Sequence, residues 1–219
     1  YMNRIRPFIG GELIKVMTGI RRSGKSVMLE LIKEELAEAG VAPSQMISIN
    51  FEDMRYSHLQ TATALHDEII KRAEGIEGKA YLFFDEIQEV EGWEKCVNSL
   101  RVALDCDIYI TGSNAKLLSG ELATYIGGRY VEFVIYPFSF AEFLELYHTI
   151  APSDSIQQCF QKYLLAGGMP YLANLRYEEE PSRQYLTDLF NSVQLKDIVK
   201  RNKIRDIDLL ERIIAYMTA

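Results

Sequence analysis

Residues 19–26 read Gly-Ile-Arg-Arg-Ser-Gly-Lys-Ser, and the fold class follows from this segment and its flanks. It fits the spacing G-x-x-x-x-G-K-[ST], with a β-rich run before it at 13–18 and a helical pattern after it at 24–39. In that setting the glycines allow a tight loop whose backbone N–H groups point at phosphate oxygens, and the amino end of the helix adds partial positive charge. The stretch therefore predicts a phosphate-binding loop. The alternative is a glycine-rich turn that ends in the same letters by chance.

The side chains of this loop predict separate roles. We expect Lys25 to reach the β- and γ-phosphates of a nucleotide and the Ser26 hydroxyl to ligate Mg²⁺. The remaining predicted nucleotide contacts of the loop are Gly19, Arg21, Arg22, Ser23, Gly24 and Val27. The motif does not require the two arginines, which lie either in solvent or near the phosphates.

A second signal is the apolar run 80–84 followed by Asp85 and Glu86. A buried strand would deliver Asp85 to the carboxyl edge of a sheet, where α/β folds bind their ligands. There Asp85 would hold the hydration shell of Mg²⁺, and Glu86 would orient and deprotonate a water for attack on the γ-phosphate. Alone, the pattern is also that of a strand before an acidic turn. Together with the loop it favours hydrolysis.

A third signal is Thr111-Gly112-Ser113-Asn114, at the end of the predicted fourth strand. A polar side chain there, beside the first strand, would hydrogen-bond both the γ-phosphate and the attacking water. Asn114 is the first candidate for this role and Ser113 the second. A role for Asn114 as the N-cap of the following helix is equally compatible with the sequence.

Short β-rich runs alternate with helical patterns over the first 150 residues, which predicts an α/β fold with a parallel sheet covered on both faces. The predicted strands are 13–18, 46–51, 80–84, 107–111 and 130–135. From about residue 139 only helical patterns recur. We therefore expect a P-loop domain at 1–150 and a helical lid at 151–219. The chain starts at Tyr1 and stops inside a helical pattern, from which we expect a fragment of a longer protein.

The composition is that of a globular protein, with 219 residues, 48% hydrophobic, 25% charged and a net charge of −7. No apolar run approaches the ~20 residues of a membrane span. The acidic balance argues against a surface built wholly for nucleic-acid phosphates. Cys96, Cys106 and Cys159 show no zinc-ligand spacing with the scattered histidines, which indicates reduced thiols and a cytoplasmic location.

Several motifs beyond the loop carry a likeness to one prokaryotic family. They are Asp85-Glu86-Ile87-Gln88, Gly92-Trp93-Glu94, the run 110–114, Gly128-Arg129, the run 136–140, Gly167-Gly168-Met169-Pro170 and Asp197-Ile198-Val199. With these motifs the chain resembles, over nearly its whole length, the AAA-like ATPases that carry a C-terminal DUF4143 domain. In this resemblance the DUF4143 region is truncated after residue 219.

The resemblance implies a three-layer sandwich with a five-stranded parallel sheet in the order 5-1-4-3-2, a helical or winged-helix-like lid, and ATP as the nucleotide. It implies the Walker A role for Lys25 and Ser26 and the Walker B role for Asp85 and Glu86. It also puts the sensor 1 position at residues 113–114.

Two further assignments follow from the resemblance. Arg129 falls where such ATPases place an arginine finger, from which a guanidinium would reach the γ-phosphate of a neighbouring subunit. The alternative for Arg129 is a surface ion pair. Phe8 lies ahead of the first strand, where it would wall the adenine or else pack in the core.

Two functions fit these residues. The first is Mg-dependent ATP binding and hydrolysis coupled to a conformational change. The second is a nucleotide-dependent switch with negligible turnover that controls a protein or nucleic-acid partner. Both need the same phosphate site, so the sequence does not separate them. We expect a protein partner or a homo-oligomer and no membrane, whereas nucleic acid survives only as an unsupported partner hypothesis. Residues 114–117 lack the guanine-binding motif that a GTPase needs.

Overall fold

The computed structural model describes residues 1–112, 126–193 and 206–218. The chain divides into two compact units, Tyr1–Pro137 and Phe138–Ala219. We had expected the division at residue 150. It comes earlier because the helix that starts at Phe140 packs its buried Phe143 and Tyr147 in the aromatic core of the second unit.

The first unit is built on one parallel sheet. Its strands are β1 (Ile14–Thr18), β2 (Met46–Asn50), β3 (Ala80–Asp85), β4 (Cys106–Thr111) and β5 (Tyr130–Val134). They lie in the order β2-β3-β4-β1-β5, and every pairing is parallel. This is the order 5-1-4-3-2 that the resemblance implied, so the predicted fold class is confirmed.

Helices cover both faces of the sheet in three layers. The α-helices in the described part of this unit are α1 (Met2–Ile5), α2 (Lys25–Glu38), α3 (Ala62–Ala73) and α4 (Trp93–Ala103). Met28, Leu29 and Ile32 of α2 belong to the core on one face. Leu65 of α3 and Val97 of α4 belong to the core on the other face. All five residues of β1 are buried, as expected for a central strand with both faces covered.

The predicted elements agree with the observed ones except at some ends. Strand β3 includes Asp85, so this carboxylate belongs to the last position of a strand. Helix α3 begins at Ala62 and not at residue 58, because the Thr61 hydroxyl accepts the N–H of Ala64 as an N-cap. The short N-terminal helix α1 was not predicted. The helix predicted around 115–125 lies outside the described residues.

The second unit is helical throughout its described part. Its helices are α5 (Phe140–Ile150), α6 (Ile156–Ala166), α7 (Glu179–Val193) and α8 (Ile207–Thr218). Helices α5 and α6 both start with a capping box, formed by Ser139 with Glu142 and by Ser155 with Gln158. Among the described helices of the chain, none combines the length and the apolar character that crossing a membrane requires.

The double glycine of the second unit allows a close backbone approach. A Cβ on Gly168 would clash with the carbonyl oxygen of Phe138. The N–H of Phe138 donates to the carbonyl of Gly168 at 2.7 Å. The Tyr163 hydroxyl donates to the carbonyl of Phe138 at 2.9 Å. These contacts tie the start of this unit to the end of α6.

Candidate nucleotide-binding site

The loop 19–24 joins β1 to α2 and has an unusual backbone. Gly19 has a φ of 149°, and a Cβ there would clash with the carbonyl oxygen of Ile135, just after β5. Arg22 and Gly24 have φ values of 65° and 102°, so both are in the left-handed region. Glycine at position 19 is therefore required by the closeness of another chain segment, and the loop reaches α2 through a tight turn.

Lys25 joins the loop to the acidic end of β3. Lys25 is the first residue of helix α2, and its side chain is 5% exposed. The Nζ atom donates to the carbonyl oxygens of Gly19 at 3.3 Å and Ile20 at 3.1 Å. It also lies 4.0 Å from Oε1 of Glu86. The tertiary structure thus brings together the predicted phosphate loop and the acidic end of β3.

Ser23 and Ser26 differ in their surroundings. Ser23 is 4% exposed, and its Oγ has no hydrogen-bond partner among the described residues. A buried hydroxyl without a partner is costly, so this atom is suited to an incoming polar group such as a phosphate oxygen. Ser26 lies in the first turn of α2 and is exposed. Arg22 and Val27 are also exposed, whereas Arg21 is half-buried.

Asp85 ends β3 at the carboxyl edge of the sheet, as predicted, and is 7% exposed. Its Oδ1 accepts the hydroxyl hydrogen of Thr111 from β4. Its Oδ2 accepts from Nδ2 of Asn50, the paired residue of β2, at 3.2 Å. An ionised carboxylate has about four acceptor positions, so Asp85 keeps capacity for a metal-bound water.

Glu86 leaves the strand in a left-handed conformation, with φ 56° and ψ 45°. Its N–H donates to Oγ1 of Thr111 at 3.0 Å. Its carboxylate accepts from Nε2 of Gln88 through Oε2, while Oε1 is the atom near Lys25. The carboxylate is therefore held from two sides, close to the phosphate loop.

Three polar residues beside these acids were not predicted as site residues: Asn50, Gln88 and Thr111. Asn50 and Thr111 are the last residues of β2 and β4. Because the carboxyl ends of parallel strands meet at one edge, polar residues at strand ends are the signal that would have found both. Gln88 follows Glu86 by two positions in a short 3-10 helix. It belongs to the motif Asp85-Glu86-Ile87-Gln88 that carries the family likeness, but the motif gave it no role.

The structure does not bring Arg129 to the loop of its own chain. The carbonyl of Arg129 accepts the N–H of Ile14 at 2.9 Å, at the amino edge of the parallel sheet. Lys25 lies at the opposite, carboxyl edge of the sheet. The two edges are separated by the length of a strand, which is on the order of 15 Å. The Arg129 side chain donates from Nη1 to Oδ1 of Asn98 at 2.9 Å, which is a neutral partner.

Phe8 packs edge-to-face on Phe133 of β5, with ring centroids 5.7 Å apart. It lies half-buried against the core beneath α2. Its role beside the adenine stays a prediction. Asn114 and Ser113, the predicted sensor positions, lie outside the described residues.

The sheet order, the loop before α2 and the acidic end of β3 define a P-loop protein of the α/β class. A family profile described as AAA domain matches residues 12–144, which is more than half of the chain. The chain belongs to this AAA domain family.

Relatives are known from bacteria and archaea. An uncharacterized protein of Haemophilus influenzae is 39% identical over 218 residues, which cover 99% of this chain and 54% of the relative. An uncharacterized protein of Methanocaldococcus jannaschii is 34% identical over 203 residues, which cover 89% of this chain and 44% of the relative. The chain thus spans about half the length of these curated relatives.

Among solved structures, the Aeropyrum pernix ORC1 protein in complex with DNA is similar in part. Its TM-score is 0.45 and its sequence identity 14%, and the match covers 87% of this chain and 62% of that chain.

Proposed function

We propose that this AAA-family chain binds Mg-ATP and hydrolyses the bond between its β- and γ-phosphates, and that turnover drives a conformational change. The observation that carries the proposal is the meeting of the loop lysine with the acid after β3. Nζ of Lys25 lies 4.0 Å from Oε1 of Glu86, at the carboxyl edge of a parallel sheet. A cation for phosphate oxygens and a base for water are both needed for this reaction, and here they are adjacent.

Binding would use the loop and the two strand-end positions beside it. The backbone N–H groups of the loop, the Lys25 ammonium and the Ser23 hydroxyl would hold the phosphates. Ser26 and Asp85 would hold Mg²⁺, which usually takes few protein ligands in addition to phosphate oxygens and water. Bound Mg²⁺ supplies neutralisation of charge on the β- and γ-phosphate oxygens.

Glu86 would act as the base. Its carboxylate takes a proton from a water whose oxygen bonds to the γ-phosphorus, while the bond from that phosphorus to the bridging oxygen breaks and ADP leaves. Lys25 would stabilise the charge that develops on the transferred group. We assign Asn114 to orienting the same water. We assign Arg129 to contact with the γ-phosphate that a neighbouring protomer binds. In its own chain Arg129 lies at the amino edge of the sheet, opposite the phosphate loop.

The wider setting is part of the same proposal. We assign the helical unit to the lid of the ATPase, and we expect a DUF4143-type domain to follow it in the longer protein. A protein partner or a second copy would receive the conformational change. The three cysteines are free thiols, which supports a reducing, cytoplasmic setting.

The test is phosphate release from Mg-ATP by the natural full-length protein, with nucleotide binding measured in parallel by calorimetry. We expect Glu86→Gln to bind ATP but to lose turnover by about 10²–10⁴-fold, the usual contribution of a general base. Lys25→Ala should weaken binding itself. The matched control is Glu89→Gln, an exposed acid nearby that should leave both quantities unchanged.

The outcomes separate the two functions that the sequence left open. Tight ATP binding with phosphate release at background, equal in wild type and Glu86→Gln, would leave only the nucleotide-dependent switch. Absence of nucleotide binding to the wild-type protein would refute both.

A further inference from the structure

Thr111 is a buried polar residue beside Asp85 and Glu86, and the sequence motifs that contain it give it no role of its own. It is the last residue of β4 and is 0% exposed. In the ladder between β3 and β4, Phe84 pairs with Ile110, so the next residues, Asp85 and Thr111, lie side by side at the carboxyl edge. In the sequence, this threonine precedes the predicted sensor positions 113–114 by two and three residues.

The Thr111 hydroxyl makes two hydrogen bonds, one as donor and one as acceptor. It donates to Oδ1 of Asp85. It accepts from the backbone N–H of Glu86 at 3.0 Å. A hydroxyl has a single hydrogen to donate, so the bond to Asp85 uses the full donor capacity of Thr111. One atom of β4 thus holds the side chain of the first acid and the main chain of the second.

The second of these bonds acts on a strained residue. Glu86 has a left-handed backbone, which is uncommon for a residue other than glycine, asparagine or aspartate and persists only where the surroundings hold it. The bond from its N–H to Thr111 fixes the start of this turn. This turn sets the direction of the Glu86 side chain, whose carboxylate lies near Lys25.

We propose that Thr111 is a positioning residue for ATP hydrolysis, whose hydroxyl sets the orientation of Asp85 and Glu86 relative to each other. The proposal rests on the proposed function. Thr111 does not touch the reacting atoms; it acts through the two acids. A purely packing role would be served equally well by valine, which has the same shape without the hydroxyl.

The variants Thr111→Val and Thr111→Ser separate the hydroxyl from the shape. In the natural full-length protein we expect Thr111→Val to lower kcat at least tenfold, with KM for ATP changed less than threefold. It should also raise the Mg²⁺ concentration needed for half-maximal activity. Thr111→Ser keeps the hydroxyl and should restore most of kcat and the wild-type Mg²⁺ dependence. Thr61→Val, which removes a hydroxyl from the cap of α3, is the control and should match wild type.

Each outcome decides the proposal. Wild-type kcat and Mg²⁺ dependence in a folded Thr111→Val protein would overturn it, and so would a loss that Thr111→Ser fails to restore. Folding of each variant is checked by far-UV circular dichroism against the wild-type protein. If Thr111→Val does not fold, the same kinetic comparison between Thr111→Ser and wild type decides, and a loss of kcat in that variant overturns the proposal.

A wild-type protein without turnover would refute the proposed hydrolysis separately. The positioning of Asp85 is then read from binding alone. We expect Mg²⁺ to strengthen ATP binding in wild type and in Thr111→Ser but at least threefold less in Thr111→Val. An equal effect of Mg²⁺ in all three proteins would overturn the role of Thr111.

Discussion

Lys15 and Asp107 form an ion pair inside the first unit, and its removal is the most demanding test of the fold. Both side chains are 0% exposed. Asp107 also accepts the Tyr109 hydroxyl at 2.7 Å and the N–H of Gly10 at 2.7 Å. The Lys15 ammonium lies 4.7 Å from the centroid of the Tyr109 ring. Burial lowers the pKa of Lys15, and the attraction of Asp107 opposes this shift.

The perturbation is Lys15→Met, which keeps the volume but leaves a buried carboxylate without its cation. Removing one partner of a buried pair typically lowers the free energy of unfolding by about 3–5 kcal/mol. Asp107 would keep two hydrogen-bond donors, Tyr109 and Gly10, so we expect about 3 kcal/mol, the lower end of that range. The paired change Lys15→Met with Asp107→Asn removes the buried charge and should recover part of the loss, leaving about 1–2 kcal/mol.

The assay is urea unfolding followed by the fluorescence of Trp93, which is 4% exposed in the same unit and reports its unfolding. The control is Lys79→Met. It breaks an ion pair with Asp105 at 2.6 Å whose side chains are 28% and 67% exposed. Such surface pairs contribute about 0–1 kcal/mol. The buried ion pair does not stabilise the fold as described if Lys15→Met costs no more than Lys79→Met, or if the double variant is less stable than Lys15→Met alone.

Three further predictions concern the site and the core. Gly19→Ala should weaken ATP binding at least tenfold in calorimetry, whereas Gly40→Ala, at a positive φ with open space around it, should not. Gln88→Ala releases the Glu86 carboxylate and should lower kcat several-fold with KM unchanged, and an unchanged kcat would show the contact to be incidental. Burial raises the pKa of Cys96 from 9.0 to about 12, so above pH 9 the unfolded chain binds fewer protons than the native protein and stability falls. By pH 10 this thiol should account for about 1 kcal/mol of the fall, which urea titrations of Cys96→Ala should lack.

Much of the first unit could be predicted because its signals are local. The G-x-x-x-x-G-K-S spacing between β1 and α2 specifies a phosphate loop, and the apolar run before Asp85 specifies a buried strand. The alternation of these runs with helices indicated parallel strands. The sheet order, in contrast, came from the resemblance to a family and was then confirmed by the ladders.

The predictions were weakest for residues whose type and position in the sequence fit two different locations in the fold. Phe8 fitted both an adenine wall and a core position, and the structure packs it on Phe133. Arg129 fitted both an ion pair and a finger, and the structure gives it a neutral partner at the amino edge. The start of the second unit was expected too late, because the helical pattern of α5 carries no information about which core it joins.

The amino-acid sequence alone was enough to predict the class of the fold, the loop expected to hold phosphates and the two acids expected to face it. These features depend on residue type and short spacing, which the chain displays locally. The distance from Lys25 to Glu86 and the atoms that hold the two acids depend on how the strands pack together. Asn50 and Thr111 reach Asp85 from neighbouring strands that are far away in sequence. Their role follows from strand order and register, and these are set by packing of the whole sheet.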